Sequence, residues 1–181
     1  MVAETARILD EYILASAKAG DRAALALLAR RWHRRLVAHA WRLTGDPELA
    51  CDAAQAGWME ILRCLPRLND ERAFPAWAYR IVSRACAKQI GKSVRRRKLV
   101  DALAHEPEAE PADPGAPIDA QRVRAAVRML PPGQRAAVAL FHFEDLSVAE
   151  VAVALDVPVG TVKTRLMHAR LKLRAAFEGD E

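Results

Sequence analysis

Apolar residues in this chain return at intervals of three and four almost from end to end, and nowhere does the two-residue alternation of a half-buried strand persist. That spacing admits amphipathic helices packed on one another and little else. Leu25, Leu28, Trp32, Leu36, His39 and Leu43 mark one long helix, which Gly45 stops. A second opens at Asp46-Pro47-Glu48, an acidic cap with proline in the first turn, and runs to about Leu65 with Ala50, Ala54, Trp58, Ile61 and Leu65 inward. The spacing predicts a third from about Phe74 to Arg97. Trp77, Ile81, Ala85 and Gln89 form its buried stripe, and Arg80, Arg84, Lys88, Lys92 and Arg96 repeat every four residues along one side. A short N-terminal helix around Ile8, Leu9, Tyr12 and Ile13 leans on these.

The pattern breaks once. Residues 101–119, DALAHEPEAEPADPGAPID, hold four of the ten prolines and no cation, and a segment of small and polar residues cannot bury enough area to offset the entropy of ordering it. It reads as a flexible acidic linker between a first domain, 1–100, and a second, 120–181. Charge follows the same division. Residues 1–100 carry 19 Lys and Arg against 10 Asp and Glu, residues 101–121 carry six acids alone, and residues 122–181 carry nine against seven. Two basic surfaces around an acidic middle suggest a polyanion as partner.

In the second domain Val123, Val127 and Leu130 form a helix ended by Pro131-Pro132-Gly133, and the next packs Val138 and Phe141. Ser147 and Glu150 then frame a capping box ahead of Val148, Val151, Ala152 and Leu155. Asp156, Val157 and Pro158 break that helix, and VPVGTVKTRLMHARLKLR begins another. On it Val159, Val162, Leu166, Ala169 and Leu173 share one stripe, while Thr161, Lys163, Thr164, Arg165, Met167, His168, Arg170 and Lys172 surround it. Two helices about a tight turn, the second cationic, have the layout of a helix-turn-helix, whose second helix enters the major groove. Lys163, Thr164, Met167 and His168 would then face base edges with Arg170 beside them, and Arg165 and Lys172 would meet phosphates. A merely solvated surface helix is the alternative.

Several classes are excluded by what the chain lacks. The longest apolar run, Ala23 to Ala29, is seven residues, far below the ~18 needed to span a bilayer, and Glu4 and Asp10 do not suit a signal peptide. No insertion into a membrane is expected, and the location expected is the cytoplasm. Cys51, Cys64 and Cys86 are widely spaced and read as buried thiols rather than a disulfide, zinc or redox set. No serine-histidine-acid set, phosphate-cradling glycine loop or metal cluster is visible, so neither a cofactor nor covalent catalysis is expected.

MLPPGQRAAVALFHFEDLSVAEVAVALDVPVGTVKTRLMHARLKLR resembles the promoter-reading domain of bacterial sigma factors of the extracytoplasmic-function group, in which leucine-proline, leucine-serine, glutamate-valine-alanine and GTVK recur in this order. GDRAALALLARRWHRRLVAHAWRLTGDPELACDAAQAGWMEILRCLPRL and FPAWAYRIVSRACAKQI are similar to the first domain of the same group, so the resemblance covers nearly the whole chain. It implies a promoter-specific initiation factor that binds core RNA polymerase and promoter DNA, and commonly an anti-sigma factor that silences it.

The resemblance also assigns residues. The helix at 46–65 corresponds to the one that grips polymerase, with Asp52, Gln55, Ala56 and Met59 outward; the family's usual glutamate is Ala56 here. CLPRLNDERAF and the helix after it correspond to the segment that opens the minus-10 element. Asn69 and Asp70 fall in the loop pocket for an extruded base, and Arg80, Arg84 and Lys88 fall on the backbone track. Trp77 and Tyr79 offer stacking faces, though Trp77 sits on the buried stripe. Arg84 and Lys88 stand where asparagine and aspartate are common. Thr161, Lys163, Thr164, Arg165, Met167, His168, Arg170 and Lys172 fall in the reader of the minus-35 element. The run Arg95 to Lys98 suits a frayed helix end or a phosphate clamp equally, and the acidic linker suits a tether or an imitation of the transcript. Two other functions compete: a regulator that uses its helix-turn-helix without polymerase, and a sigma-like module that sequesters an anti-sigma factor.

Overall fold

The computed structural model describes residues 2–100 and 118–178, and among them every regular element is helical. Eight α-helices follow in order: α1 (Val2–Lys18), α2 (Arg22–Thr44), α3 (Pro47–Cys64), α4 (Phe74–Val100), α5 (Ile118–Arg128), α6 (Pro132–Val138), α7 (Val148–Leu155) and α8 (Val159–Glu178). The first four precede the acidic stretch, in the first domain expected above, and the last four follow it in the second. Most of the acidic stretch 101–119 lies outside the described residues, as do the side chains of Arg96, Arg97 and Lys98.

Local chemistry sets the helix ends. Asp21 caps α2 by accepting from the Ala23 and Ala24 amides at 2.8 and 3.2 Å, and Gly45 closes it in the left-handed conformation (φ 69°), its N–H donating to the Trp41 carbonyl. Asp46 accepts from the Leu49 amide at 2.9 Å, with Pro47 in the first turn of α3. Ser147 and Glu150 complete the capping box of α7. α6 runs into a π-helical turn over Ala139–Phe143, and this wider turn leads to the buried Glu144.

The core of the first domain is built on Leu14, Leu28, Trp32, Leu36, Ile61, Phe74, Tyr79 and Val82, all essentially inaccessible to solvent. Phe74 meets the Trp32 ring edge-on, with centroids 5.1 Å apart. α3 and α4 approach closely because Gly57 has no side chain: a Cβ there would lie 2.7 Å from Val82 Cγ2. His39 is fully buried on α2, its Nε2 2.9 Å from Ser83 Oγ. Burial, reinforced by the charge of Arg42, lowers its pKa to about 3.

Four expectations need correction. On α1 the inward residues are Asp10, Ile13 and Leu14, while Ile8, Leu9 and Tyr12 are exposed, because Asp10 is turned in to meet Arg31 at 2.7 Å. On α4 the buried line is Phe74, Ala78, Tyr79, Val82 and Cys86, one residue on from the expected stripe. Trp77, Ile81, Ala85 and Gln89 are only half-buried. The helix packs on α2, α3 and α7 together, so its apolar face is wider than a single stripe. Tyr79, offered above as a base-stacking ring, is at 0 % exposure and unavailable to DNA. Of the cysteines only Cys86 is buried, its thiol pushed up to about 12 by desolvation; Cys64 is half-buried and Cys51 exposed.

The apolar spacing does not reveal that the two domains share a core. Ala136, Leu140, Leu146, Val151, Ala154 and Val162 join the cluster built on Trp32 and Phe74, whereas Val127, Leu130, Val138 and Ala169 form a smaller one local to the second domain.

Two consequences for stability follow from these contacts. Gly57→Val should lower stability by about 1–3 kcal/mol through overpacking against Val82, and urea denaturation should show Val82→Ala recovering part of the loss. His39 binds its proton more weakly folded (about 3) than unfolded (6.5), so its contribution is intact above pH 6.5 and falls as pH drops toward 3. Below 6.5 the slope should approach ~1.4 kcal/mol per pH unit, and His39→Leu should flatten it between about pH 6.5 and 5 in thermal melts.

Candidate nucleic-acid interface

The turn between α7 and α8 is fixed by backbone geometry. Asp156 is left-handed (φ 57°, ψ 46°), its N–H reaching the Ala152 and Val153 carbonyls, and the Val157 N–H bonds the Ala152 carbonyl at 3.1 Å. Pro158 then starts α8 by accepting from Thr161 and Val162. Val162 and Ala169 are the buried anchors of α8, with Leu166 and Leu173 half-buried beside them; Val159, assigned to that stripe, is 42 % exposed at the helix start.

Away from those anchors stand Lys163, Thr164, Met167, His168, Arg170 and Lys172, all exposed. Thr164 already donates its hydroxyl to the Gly160 carbonyl at 3.0 Å, which leaves the oxygen as an acceptor. Thr161 is half-buried. Arg165 is half-buried as well, its guanidinium packed where a Cβ on Gly133 of α6 would meet it at 3.1 Å, so it lies against the protein rather than at an outer rim.

Asn69 and Asp70 are exposed in the loop that joins α3 to α4. Asp70 also accepts from the Arg72 amide at 2.9 Å and so shapes the loop. Leu68 buries its side chain beneath it, and Lys18 at the end of α1 donates to the Leu68 carbonyl at 2.6 Å and to Glu71 Oε1 at 2.5 Å. The Lys18 bond holds the Glu71 carboxyl below its ordinary pKa. Sequence spacing gave no sign that α1 supplies this anchor.

Asp52, Gln55, Ala56 and Met59 share one exposed face of α3, opposite Ala50, Ala53, Ala54, Gly57 and Ile61. Leu62, 45 % exposed, extends that face by one turn.

On α4 Lys88 is exposed, but Arg80 and Arg84 are engaged. Each places an Nη2 2.7 Å from a different oxygen of Asp156, the residue at the mouth of the helix-turn-helix. These bonds, that of Arg80 first, hold the Asp156 carboxyl below its usual range. A second knot lies deeper. Glu144, 5 % exposed, accepts from the Tyr79 hydroxyl, from Arg42 at 2.5 Å and from Arg35 at 3.3 Å. Burial and the neighbouring carboxylate push the Tyr79 pKa far up, so its hydroxyl stays a donor. The sequence reading assigned no role to Glu144, Arg35 or Arg42; an acid between Phe143 and Asp145 carries no periodic signal.

Described residues that are helical throughout their regular elements, with a cationic helix after a left-handed turn, a second cationic helix on another domain and an exposed face on α3, define a helix-turn-helix transcription factor. The comparisons narrow the class. Sigma-70 region 2 matches residues 28–97 and Sigma-70 region 4 matches residues 120–173. The chain is 35 % identical over 165 residues to the ECF RNA polymerase sigma factor SigM of Mycobacterium tuberculosis, covering 91 % of this chain and 82 % of that one. It is 26 % identical over 181 residues to the RNA polymerase sigma-H factor of Pseudomonas aeruginosa, covering 93 % and 94 %. Its fold is that of the sigma factor RpoE solved with the anti-sigma factor NepR from Bartonella quintana, with a TM-score of 0.73 and 24 % identity over 87 % of this chain and 98 % of that one. CnrH, solved with the cytosolic domain of CnrY, matches with a TM-score of 0.70 and 22 % identity over 96 % and 99 %. The chain belongs to the ECF sigma factors, the initiation factors that direct RNA polymerase to promoters.

No helix among the described residues is long and apolar enough to cross a membrane. The loop anchor is directly testable: Lys18→Met should leave the global melting temperature within a few degrees, yet raise amide exchange at residues 66–73 by at least about tenfold, since it removes one anchor of a local unit.

Proposed function

We propose that the division of labour follows the two domains. Residues 1–100 bind core polymerase and melt the minus-10 element, residues 120–181 read the minus-35 element, and residues 101–119 set the reach between them. The chain does no covalent chemistry itself and works in the cytoplasm, where polymerase is. Asp52, Gln55, Ala56 and Met59 form the polymerase contact. With alanine at 56, the apolar pair Met59 and Leu62 carries more of the contact than polar groups do.

Asn69 and Asp70 receive an unpaired base, and Arg80, Arg84 and Lys88 follow its backbone. On α8 Lys163, Thr164, Met167 and His168 face bases. Arg170 stands beside them, Lys172 faces phosphates with Thr161 near the entry, and Arg165 acts chiefly by fixing α8 against α6. The observation that carries this reading is the segregation on α8: Lys163, Thr164, His168, Arg170 and Lys172 are exposed while Val162 and Ala169 are sealed. An anti-sigma factor is proposed as a further partner, because the solved relatives RpoE and CnrH are held by NepR and CnrY.

Run-off transcription with purified chain, core enzyme and a pool of randomised promoters tests this. The chain should select one pair of elements. Lys163→Ala and His168→Ala should relax selection at single minus-35 positions at a cost of about 1–3 kcal/mol each. Lys172→Ala should weaken all templates alike and reduce the salt slope by about 1. Tight promoter binding by the chain alone, with no gain from core, would instead mark a polymerase-independent regulator.

A further inference from the structure

The proposed backbone track on α4 and the turn of the helix-turn-helix are in contact, and the contact has the chemistry of a phosphate site. Arg80 and Arg84 each hold one oxygen of the Asp156 carboxylate at 2.7 Å, as two arginines hold a phosphodiester. The carboxylate is not needed where it stands. The cap on α7 is made by the Asp156 backbone N–H in the left-handed conformation, which asparagine or glycine adopts as readily. Its side chain is 58 % exposed, so a competing anion can reach it, unlike Glu144 at 4 %. Lys88, further along α4, has no partner among the described residues.

We infer that in the free chain Asp156 occupies the place of a DNA phosphate on Arg80 and Arg84, so that its hold on these two arginines and their capture of unpaired strand exclude one another. This rests on the reading of α4 as the strand-binding track and goes beyond it: the minus-35 reader masks the minus-10 track until DNA displaces its carboxylate. By linkage, whatever draws the second domain away raises the affinity of α4 for strand by the same factor that strand favours opening. Exposed ion pairs are individually weak, so the mask is one that a run of phosphates can outcompete.

The test uses the full chain without polymerase, titrated with a fluorescent 12-nucleotide oligothymidylate at several salt concentrations. Asp156→Asn and Asp156→Gly both keep the left-handed cap, so a folding defect in one does not silence the experiment. Both should bind about three- to twentyfold tighter than wild type, with a salt slope steeper by about 1.4 for two more phosphates engaged. Asp145→Asn removes one charge from the same domain without touching either arginine, and should change neither. Equal gains from Asp145→Asn and Asp156→Asn would reduce the effect to net charge and overturn the inference. No gain at Asp156, while Lys88→Gln weakens binding, would overturn the mask and leave the track standing. If Lys88→Gln and an Arg80→Gln, Arg84→Gln pair in the Asp156→Asn background leave binding unchanged, the track itself is wrong and the mask falls with it.

Discussion

Glu144 is the constraint on which the arrangement of this molecule depends. A carboxylate removed from water is tolerable only when its charge is met. Here Arg42 and Arg35 on α2 and Tyr79 on α4 converge on it from the first domain, although it belongs to the second. None of those three donors is contributed by its own domain. The shared core, in which Leu140, Leu146 and Val151 join the cluster of Trp32 and Phe74, therefore has a polar keystone that works only when the domains are together. Removing one partner of such a buried set costs on the order of 3–5 kcal/mol, enough to decide between closed and open forms.

That keystone conflicts with promoter recognition in the open form. Two elements more than one duplex turn apart, over ~34 Å, cannot be met by domains in side-by-side contact. A segment as long as 101–117, drawn out, spans at most ~60 Å, so the covalent connection allows the separation. Two acids act at the joint with different characters. Glu144 is sealed and holds the closed form together, and Asp156 is open to solvent, within reach of a competing anion. Polymerase and DNA would thus meet a chain whose surfaces are partly turned on each other, and the free energy of opening is subtracted from binding.

Much of the fold was legible in the chain itself. Asp46-Pro47, Gly45 and the Ser147-Glu150 box mark helix ends by local chemistry, and these ends appear where the residues put them. The outward face of α3 and the exposed side of α8 also follow from spacing alone, because one well-sealed line on each helix fixes where the opposite side points. Periodicity failed where a helix has more than one neighbour. α4 packs on three helices, so the line drawn through Trp77 and Ile81 missed Ala78 and Val82 by one residue and Tyr79 by two. It also failed wherever a residue's role depends on a distant partner. Glu144, Lys18 and Asp10 look like ordinary surface charges until Tyr79, Leu68 and Arg31 are brought to them. Arg84, a departure from the common family pattern, acquires a physical role only through Asp156.

The most direct test of this account is the solution radius of gyration of the full chain from small-angle X-ray scattering, taken with wild type and Glu144→Ala while far-UV circular dichroism checks that helix content is kept. A chain closed around Glu144 should give roughly 16–18 Å, near the value for a compact body of this length, and the variant should expand toward about 20 Å or more with its helices intact. An already expanded wild type, or a Glu144→Ala chain as compact as wild type, would contradict it.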